Sequence, residues 1–331
     1  MVSLIIPSYR NPECLDICLK SALEGQSIKN QIIVILDGFT EESKHITEKY
    51  IDRVNFLPLE QNQGMQTALN LGVFNADNET IVIINDDNVL CKDWDKVIEE
   101  ELEYNHVLTI NQIEPFKGIF GFPAKDFGLH PSKFDYEGFK QYEPTIRNDI
   151  TTPDGGIFPF AMSKKDYMIV GGFDTLYKSP FICDWDFFLK LELNGLKFSR
   201  TSKAHFYHFV SMATKKGKNK EEMISSESPA AQTFIYKWGI YPNLFTNNSH
   251  NPKKSDPNVP FGKVDFYLVD YPEYKPKGDN FEVSSLSENH TKQKGHSWGK
   301  YGKKIELDFL NFEALTDKYD LKNIDFLFTD I

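Results

Sequence analysis

The stretch that most constrains the fold is residues 81–88, where a strongly apolar run leads directly into a cluster of polar side chains. It reads Ile81-Val82-Ile83-Ile84-Asn85-Asp86-Asp87-Asn88. Four β-branched residues in a row are typical of a strand that is buried on both faces. Adjacent carboxylates at the end of such a strand are costly to bury unless a partner neutralises them, and Mg²⁺ or Mn²⁺ is one such partner. A plain polar turn is the alternative, because Asn and Asp favour turns.

Alternating strands and helices surround this stretch in the first part of the chain. Apolar runs at residues 2–6 and 32–36 predict strands, and Asn11-Pro12 predicts a helix start, with Asn as the cap and Pro at the first helical position. The alternation continues through a helix over 41–51, a strand over 54–57 and a helix over 65–76. We therefore predict an α/β fold with a mostly parallel, Rossmann-like sheet that binds ligands at the carboxyl ends of its strands.

The pattern loosens after residue 87. Helices are predicted over residues 93–104, 164–170 and 184–194, and strands over 107–111, 118–122, 157–162 and 264–269. Residues 127–152 mix aromatic, proline and charged residues without a period, so we predict an irregular functional segment there. Pro, Asn, Ser and Lys dominate residues 241–260, which predicts a boundary between a domain over 1–240 and a smaller α/β segment over 241–331. The strand-like end of the chain leads us to expect truncation.

Composition and charge exclude several classes of protein. The net charge of −11 argues against a general nucleic-acid binder. No apolar run reaches about 18 residues, so no membrane span is expected, and the first residues lack the basic start of a signal peptide. The four cysteines do not have the spacing of a zinc site, so we expect free thiols and a cytoplasmic protein.

Six short motifs follow one another along the chain. They are Ser3-Leu4-Ile5-Ile6-Pro7-Ser8-Tyr9, Ile35-Leu36-Asp37-Gly38, Asn62-Gln63-Gly64 with Ala68-Leu69-Asn70-Leu71-Gly72, Asn85-Asp86-Asp87, Gly171-Gly172-Phe173-Asp174 and Cys183-Asp184-Trp185-Asp186. In this order, over about residues 1–220, they resemble the motifs of family 2 glycosyltransferases, which have the GT-A fold. Each motif is short, and their common order on matching predicted elements makes the resemblance specific.

The resemblance implies an inverting glycosyltransferase with Mn²⁺ or Mg²⁺ at the Asn85-Asp86-Asp87 motif. Asp87 would hold the metal, which stabilises the departing nucleoside diphosphate as a Lewis acid. Asp86 would lie beside it, on the ribose or on a metal-bound water. Asn85, where the family has Asp, would lie on the donor side. The implied partners are a nucleotide-diphosphate sugar, with a UDP-sugar as first choice, and a glycan or glycoconjugate acceptor.

Residues at the ends of the first two predicted strands are expected to contact the nucleoside part of the donor. The resemblance implies that Asp37 accepts a hydrogen bond from the base, and that Pro7, Tyr9 and Asn62 lie beside the donor. Family members often have a second Asp where this chain has Gly38. The alternatives are an ordinary Asp-Gly turn at Asp37 and simple strand-end packing of Pro7 and Tyr9.

The acceptor side is assigned to later motifs. The resemblance implies that Asp184 is the general base that deprotonates the acceptor hydroxyl. Trp185 and Asp186 are placed on the acceptor side, with Asp186 supporting the site or the helix N-terminus, and Asp154-Gly155 is placed on the same side. The alternatives are that Asp184 only caps the following helix and that Asp154 lies in a turn.

A histidine is a further candidate ligand. His208 lies in Ala204-His205-Phe206-Tyr207-His208-Phe209-Val210-Ser211. In many family members a His at this point reaches the metal or the diphosphate, which makes His208 a predicted metal ligand. The alternative is a histidine packed among aromatic residues in a core.

Two other functions stay open. Residues 263–268, 284–287 and 323–331 resemble the later half of FkbM-type methyltransferases, so a fusion with partial sugar O-methyltransferase activity is one alternative. Asn85, Gly38 and Cys183 depart from the transferase pattern, because Glu is usual at the last position. They prompt the other alternative, a non-catalytic glycan-binding protein with a decayed transferase site. Binding of S-adenosylmethionine would indicate the first, and no nucleotide binding in the presence of Mn²⁺ the second.

Overall fold

The structure, a computed structural model, describes residues 1–38, 40–117, 121–210, 220–238, 264–269, 283–284 and 302–307. The chain divides into two compact units: Met1–Ala231 with Phe245–Pro252, and Gln232–Leu244 with Lys253–Ile331. The domains predicted over 1–240 and 241–331 stay a prediction. Among the helices of the described residues, none combines the length and apolar composition needed to cross a membrane.

The first unit alternates strands and helices through its first half, as the sequence pattern predicts. Its strands are β1 (Val2–Ser8), β2 (Gln31–Asp37), β3 (Asn55–Leu59), β4 (Thr80–Ile83), β5 (Asn88–Val89), β6 (His106–Ile113), β7 (Thr151–Thr152), β8 (Phe160–Ser163) and β9 (Lys197–His208). Its helices are α1 (Pro12–Gly25), α2 (Lys44–Tyr50), α3 (Met65–Phe74), α4 (Trp94–Glu101), α5 (Tyr136–Ile146), α6 (Lys164–Ile169) and α7 (Cys183–Leu193), with short 3-10 turns at Thr40–Ser43 and Pro131–Lys133. Helix α8 (Lys220–Trp238) begins in the first unit and continues past its boundary at Ala231.

One sheet joins all nine of these strands. Its order is β3-β2-β1-β4-β8-β6-β9-β5, and β7 pairs with β9. Strands β3, β2, β1 and β4 are parallel to one another. Strand β8 runs antiparallel to its neighbours β4 and β6, whereas β6 and β9 are parallel. The predicted α/β fold is confirmed, and its parallel half is joined to a mixed half. Because β2 and β4 lie on opposite sides of β1, a ligand crevice is expected at the carboxyl ends of β1 and β4.

Burial explains why the central strands form. The apolar side chains of β1, β2 and β4 are buried on both faces of the sheet, which is the pattern expected of parallel strands covered by helices. Helix α1 buries Leu15, Cys18, Leu19 and Ala22, the predicted stripe. Asn11 precedes this helix as predicted, but its side chain makes no capping hydrogen bond. Its Nδ2 donates instead to Asp86 Oδ1 at 2.9 Å, so the prediction that this side chain caps the helix was wrong.

The segment 127–152, predicted as irregular, contains helix α5. Its buried residues are Phe139 and Glu143, one turn apart. Glu143 is buried because Arg147 pairs with it at 2.8 Å and the backbone N–H of His205 donates to it at 3.0 Å. Because the inward face of α5 carries a charge, the helix has no apolar periodicity and was not predicted. Phe139 packs against Phe127 with ring centroids 6.0 Å apart, so this part of the segment belongs to the core.

Two further strand predictions differ from the structure. Of the strand predicted over 118–122, residues 118–120 lie outside the described residues, and Gly121 and Phe122 are not in a strand. Instead, Glu114 forms an isolated parallel bridge with Ala124. The long strand β9 was not predicted, because its first half mixes Lys, Arg, Ser and Thr without alternation.

The second unit contains a three-stranded antiparallel sheet. Strand β10 (Val264–Val269) pairs with β11 (Val283–Ser284) and with β12 (Gly302–Leu307). The predicted strand over 264–269 is therefore confirmed. Of the methyltransferase-like stretches, residues 263, 285–287 and 323–331 lie outside the described residues. The methyltransferase resemblance stays a prediction.

Candidate active site

Asp86 ties together the ends of β1 and β4. Its Oδ2 accepts a hydrogen bond from the Ser8 hydroxyl at 2.7 Å, and its Oδ1 accepts from Asn11. The side chain is 4% exposed. Burial, and next the charge of Asp87, raises the pKa of Asp86 to about 7. Both carboxylate oxygens therefore already have protein donors, and the side chain acts as a strut between the strand ends and the start of α1.

Asp87, His208 and Glu114 form a row at the end of the sheet. His208 Nε2 lies 3.6 Å from Asp87 Oδ1, and His208 Nδ1 lies 3.4 Å from Glu114 Oε1. Asp87 and Glu114 are 4% and 7% exposed. The Phe209 N–H donates to the Asp87 carbonyl at 3.1 Å, which fixes the two segments to each other. The structure thus brings together the two predicted metal residues and adds Glu114, which the sequence analysis missed.

The donor set suits a divalent metal only with help from a ligand. In the described part of the chain, no group of three or more His, Cys, Asp or Glu side chains has metal-binding geometry. A carboxylate and an imidazole are nevertheless donors that Mn²⁺ accepts, and Mg²⁺ sites are commonly completed by substrate phosphates and water. Asn85 and Asn88 shape the turn beside this pair, since Asn88 Oδ1 accepts from the Asn85 N–H at 3.2 Å.

Asp37 holds the turn that leads into α3. Its oxygens accept from the N–H groups of Gln63 at 2.6 Å and Gly64 at 3.0 Å. Burial raises its pKa, and these two hydrogen bonds oppose the rise. Asn62 is exposed, and its Oδ1 accepts from the Gly64 N–H at 3.0 Å. Gly38 has φ of +75°, and a Cβ there would lie 2.7 Å from the Asn62 nitrogen, so this turn accommodates Gly more easily than a second Asp.

Pro7 and Tyr9 lie at the carboxyl end of β1 and just beyond it. Both are partly buried, and Pro7 lies opposite Ile35 of β2. The Arg10 guanidinium lies 5.8 Å from the centroid of the Tyr9 ring. They are therefore placed at the same edge of the sheet as Asp37 and Asp86, where a donor nucleoside was predicted.

Asp184 occupies the first turn of α7. The cap residue of this helix is Ile182, with φ of 70°, so Asp184 is not the cap itself. Its Oδ1 accepts from the Trp185 N–H at 3.0 Å. Burial raises the pKa of Asp184 to about 6, although the residue keeps some exposure to solvent. A partly exposed carboxylate of raised pKa at a helix start can take up a proton from a ligand.

Helix α3 holds the loop that precedes Asp184. Asn70 Oδ1 accepts from the Tyr167 hydroxyl at 2.7 Å and from the Phe173 N–H at 2.9 Å, and its Nδ2 donates to the Phe173 carbonyl at 2.8 Å. Gln66 donates to the Ser179 carbonyl. Since Asp37 fixes the turn before α3, a continuous set of contacts links the end of β2 to the start of α7. Asn70 lies in the Ala68–Gly72 motif, but its role in holding this loop was not predicted from the sequence.

Asp186 lies in the first turn of α7 and is fully buried. Its Oδ1 accepts from the Tyr177 hydroxyl at 3.3 Å, and Lys190 Nζ lies 3.8 Å from its Oδ2. This environment favours the supporting role that the sequence analysis considered for it.

Asp154 and Gly155 lie in a different part of the sheet. Asp154 pairs with Arg200 at 2.6 Å, and Arg200 lies opposite Thr109 of β6. A Cβ at Gly155 would lie 2.8 Å from Thr109 Oγ1. Thr109 precedes Glu114 by five residues, about 16 Å along a strand. The structure therefore does not bring Asp154 to the Asp87–His208 pair.

Residues 3–165 match the family model described as Glycosyl transferase family 2. Residues 3–165 form a family 2 glycosyltransferase domain. The matched range contains β1 to β4, the Asp86 strut and Asp87, whereas Asp184 and His208 lie beyond it. The predicted family and the GT-A fold class are thereby confirmed, and the roles of individual site residues stay predictions.

Individual relatives of this glycosyltransferase domain share only part of their length with the chain. An uncharacterized glycosyltransferase of Haemophilus influenzae is 25% identical over 201 residues, which are 58% of this chain and 62% of that protein. An uncharacterized glycosyltransferase of Rickettsia prowazekii is 28% identical over 142 residues, or 43% of each. Among solved structures, a mannosyltransferase of Pyrobaculum calidifontis in complex with GDP-Man and Mn²⁺ has 15% identity and a TM-score of 0.47, covering 75% of this chain and 67% of that one.

Proposed function

We propose that the chain is an inverting, metal-dependent glycosyltransferase that moves a sugar from a nucleotide-diphosphate donor to a hydroxyl of a glycan or glycoconjugate. The observation that carries this proposal is the Asp87–His208 pair at the carboxyl end of the central strands of a family 2 domain. The four cysteines are all buried and free of disulfides, which supports a cytoplasmic location.

Asp87 and His208 are the residues that would hold Mn²⁺ or Mg²⁺. When bound, the ion supplies positive charge that stabilises the departing nucleoside diphosphate. Asp86 supports this site through its hydrogen bonds with Ser8 and Asn11, which leave lone pairs for the donor ribose or a metal-bound water. Because few protein donors lie at this point, donor phosphates and water would have to supply the remaining ligands of the ion.

The donor nucleoside lies along the ends of β1 and β2. Pro7 and Tyr9 provide partly buried surface there, and Asn62 is exposed beside Asp37. Each Asp37 oxygen accepts one backbone hydrogen bond, which leaves lone pairs for a base N–H. Asn85 faces the donor from the neighbouring strand end. A UDP-sugar is the first donor to test.

Asp184 is the general base. Its pKa of about 6 leaves it ionised at neutral pH and makes it a stronger base than an ordinary Asp. The acceptor hydroxyl gives its proton to this carboxylate while the oxygen attacks the anomeric carbon from the face opposite the leaving group. Trp185 lies next to it on the acceptor side, and Asp186 supports the start of the helix by accepting a hydrogen bond from the Tyr177 hydroxyl. Asp154 and Gly155 have the weakest support as acceptor residues, because Asp154 is paired with Arg200.

The test is thermal stability of the full chain against UDP, GDP, dTDP and CMP, each with and without Mn²⁺. A ligand that binds only the folded state stabilises it by about 2.7 kcal/mol at a hundredfold excess over Kd. We expect a metal-dependent rise in Tm for one nucleotide, lost in Asp87→Ala and kept in Asp52→Ala, which removes an exposed carboxylate. No shift with any nucleotide would contradict the proposal and favour the decayed-site alternative.

A further inference from the structure

We infer that Glu114 is a positioning residue that sets His208 in the form able to bind a divalent metal together with Asp87. This inference rests on the proposed function and deepens it. It assigns a role to a carboxylate that neither the motifs nor the family match single out, since Glu114 lies in no motif and its importance depends on how β6 and β9 are aligned.

A register shift aligns the two side chains. Ile110 of β6 lies opposite Thr201 of β9, but the next residue, Asn111, lies opposite His205. Residues 202–204 are thus extra in β9, and they carry His208 rather than His205 to the level of Glu114. The extra residues are anchored, because the Ser202 N–H donates to the Ile150 carbonyl at 3.0 Å.

Other contacts hold this alignment. The Asn148 N–H donates to the Ser202 carbonyl at 3.1 Å, and Asn111 Nδ2 donates to the Ser202 hydroxyl at 3.0 Å. The Glu114 backbone is fixed as well, since its N–H donates to the Pro123 carbonyl at 3.0 Å and its carbonyl accepts from the Lys125 N–H at 2.8 Å. The carboxylate therefore faces His208 from a braced position with little exposure to solvent.

The contact between Glu114 and His208 Nδ1 determines which nitrogen of the imidazole ring carries the proton. An ionised carboxylate can only accept, so a contact between Glu114 and Nδ1 places the proton on Nδ1. In the neutral ring, Nε2 then carries a lone pair that faces the Asp87 carboxylate at 3.6 Å. Two lone-pair donors that face each other are suited to a shared cation. Without Glu114, the proton can move to Nε2 and hydrogen-bond to Asp87, which removes the metal ligand.

The first test measures Mn²⁺ binding to the full chain from the loss of the free-ion electron paramagnetic resonance signal, alone and with UDP present. Glu114→Ala should weaken the affinity for Mn²⁺ about 10- to 100-fold, the usual effect of removing a carboxylate behind a metal-bound histidine. Glu114→Gln keeps an acceptor oxygen for Nδ1–H and should stay near the wild-type value. Glu114→Met, which fills the volume without an acceptor, replaces the Ala variant if that one does not fold.

The matched control is Glu101→Ala. Glu101 is also a poorly exposed carboxylate that contacts β9, through Lys203 at 2.6 Å, and its loss should leave the affinity for Mn²⁺ unchanged. Unchanged affinity in both Glu114→Ala and Glu114→Met would overturn the inference while leaving the proposed function intact. A wild-type chain that binds no Mn²⁺ in either condition would overturn both.

A second readout needs neither metal nor activity. The ¹⁵N spectra of the histidine rings report which nitrogen carries the proton, and His208→Gln identifies the signals of this ring among the eight histidines. We expect protonated Nδ1 in the wild type and in Glu114→Gln, and protonated Nε2 in Glu114→Met. The same tautomer in all three proteins would overturn the inference.

Discussion

Replacing Asp184 with Asn should stabilise the folded protein at neutral pH while it removes the proposed base. The cause is burial, which raises the pKa of Asp184 from an ordinary value of 3.8 to about 6. Ionising this carboxylate therefore costs more in the folded protein than in the unfolded chain. Asn has no charge to desolvate, and its amide oxygen can still accept from the Trp185 N–H.

The difference between a pKa of 3.8 in the unfolded chain and a pKa of about 6 in the folded protein corresponds to about 3 kcal/mol of unfolding free energy. This is an upper value, because the side chain keeps some contact with solvent, which screens its charge. Well below pH 3.8 the carboxyl is protonated in both the folded and the unfolded state, so it contributes nothing to the pH dependence of stability. As pH rises toward about 6, the unfolded chain releases the proton first, and the wild type loses stability relative to the variant. The loss is complete above that pH.

The advantage of Asp184→Asn should thus grow from about 1 kcal/mol at pH 4.5 to at most about 3 kcal/mol at pH 8. For a unit of this size, the growth of up to about 2 kcal/mol corresponds to roughly 4–8 °C in Tm. Urea unfolding of both proteins across this pH range measures it. An advantage that does not change with pH, or a variant less stable at pH 8 than at pH 4.5 relative to wild type, would refute the reasoning.

Asp95→Asn is the matched control, because the pKa of Asp95 is shifted in the opposite direction to that of Asp184. Burial acts to raise the pKa of Asp95, but hydrogen bonds from the Ser27 N–H, the Asn30 amide and the Ile28 N–H outweigh it and lower the pKa below 3.8. Its stabilising contribution is therefore present above the ordinary pKa and is lost as pH falls through the lowered one. Asp95→Asn should destabilise the protein at pH 8 and do so less in acid. The same sign for both variants would contradict the account.

Three further outcomes follow from the same structure. Asn70→Ala removes the acceptor of the buried Tyr167 hydroxyl and should lower the free energy of unfolding in urea by about 2–4 kcal/mol. Asn75→Ala, at an exposed helix end, should lower it by less than about 1 kcal/mol. Equal losses would refute the role of Asn70 in holding the loop. Gly38→Asp should lower stability by about 1–3 kcal/mol, because the residue has φ of +75° and its Cβ would crowd Asn62; a stable variant with tighter nucleotide binding would contradict this. The four buried cysteines should react with Ellman's reagent only after unfolding, so rapid labelling of the native protein would contradict their burial.

The sequence was sufficient where burial alone determines structure. Strands β1, β2 and β4 are buried on both faces, so each appears as an uninterrupted apolar run, and the polar residues that follow mark their carboxyl ends. Asp37, Asp86 and Asp87 were found in this way. Their hydrogen-bond partners were not, because Asn11 and Ser8 reach Asp86 from positions more than 70 residues away along the chain.

Glu114 and α5 show why the remainder was missed. Glu114 meets His208 only because residues 202–204 shift the register between β6 and β9, and such a shift leaves no trace in the hydrophobic pattern. Helix α5 buries Glu143 with Arg147, so its inward face does not appear apolar. The placement of Asp154 was also beyond the sequence, since its pairing with Arg200 depends on the contact between β7 and β9.

The central claim is tested most directly by comparing donor binding and turnover in Asp184→Asn. The nucleotide identified by thermal stability names the donor, and release of nucleoside diphosphate from it measures turnover. We expect nearly unchanged affinity for the nucleotide in the presence of Mn²⁺ and a loss of turnover of about 10²- to 10⁴-fold, the usual contribution of a general base. Normal turnover in Asp184→Asn, with the same affinity, would contradict the assignment of Asp184 as the base.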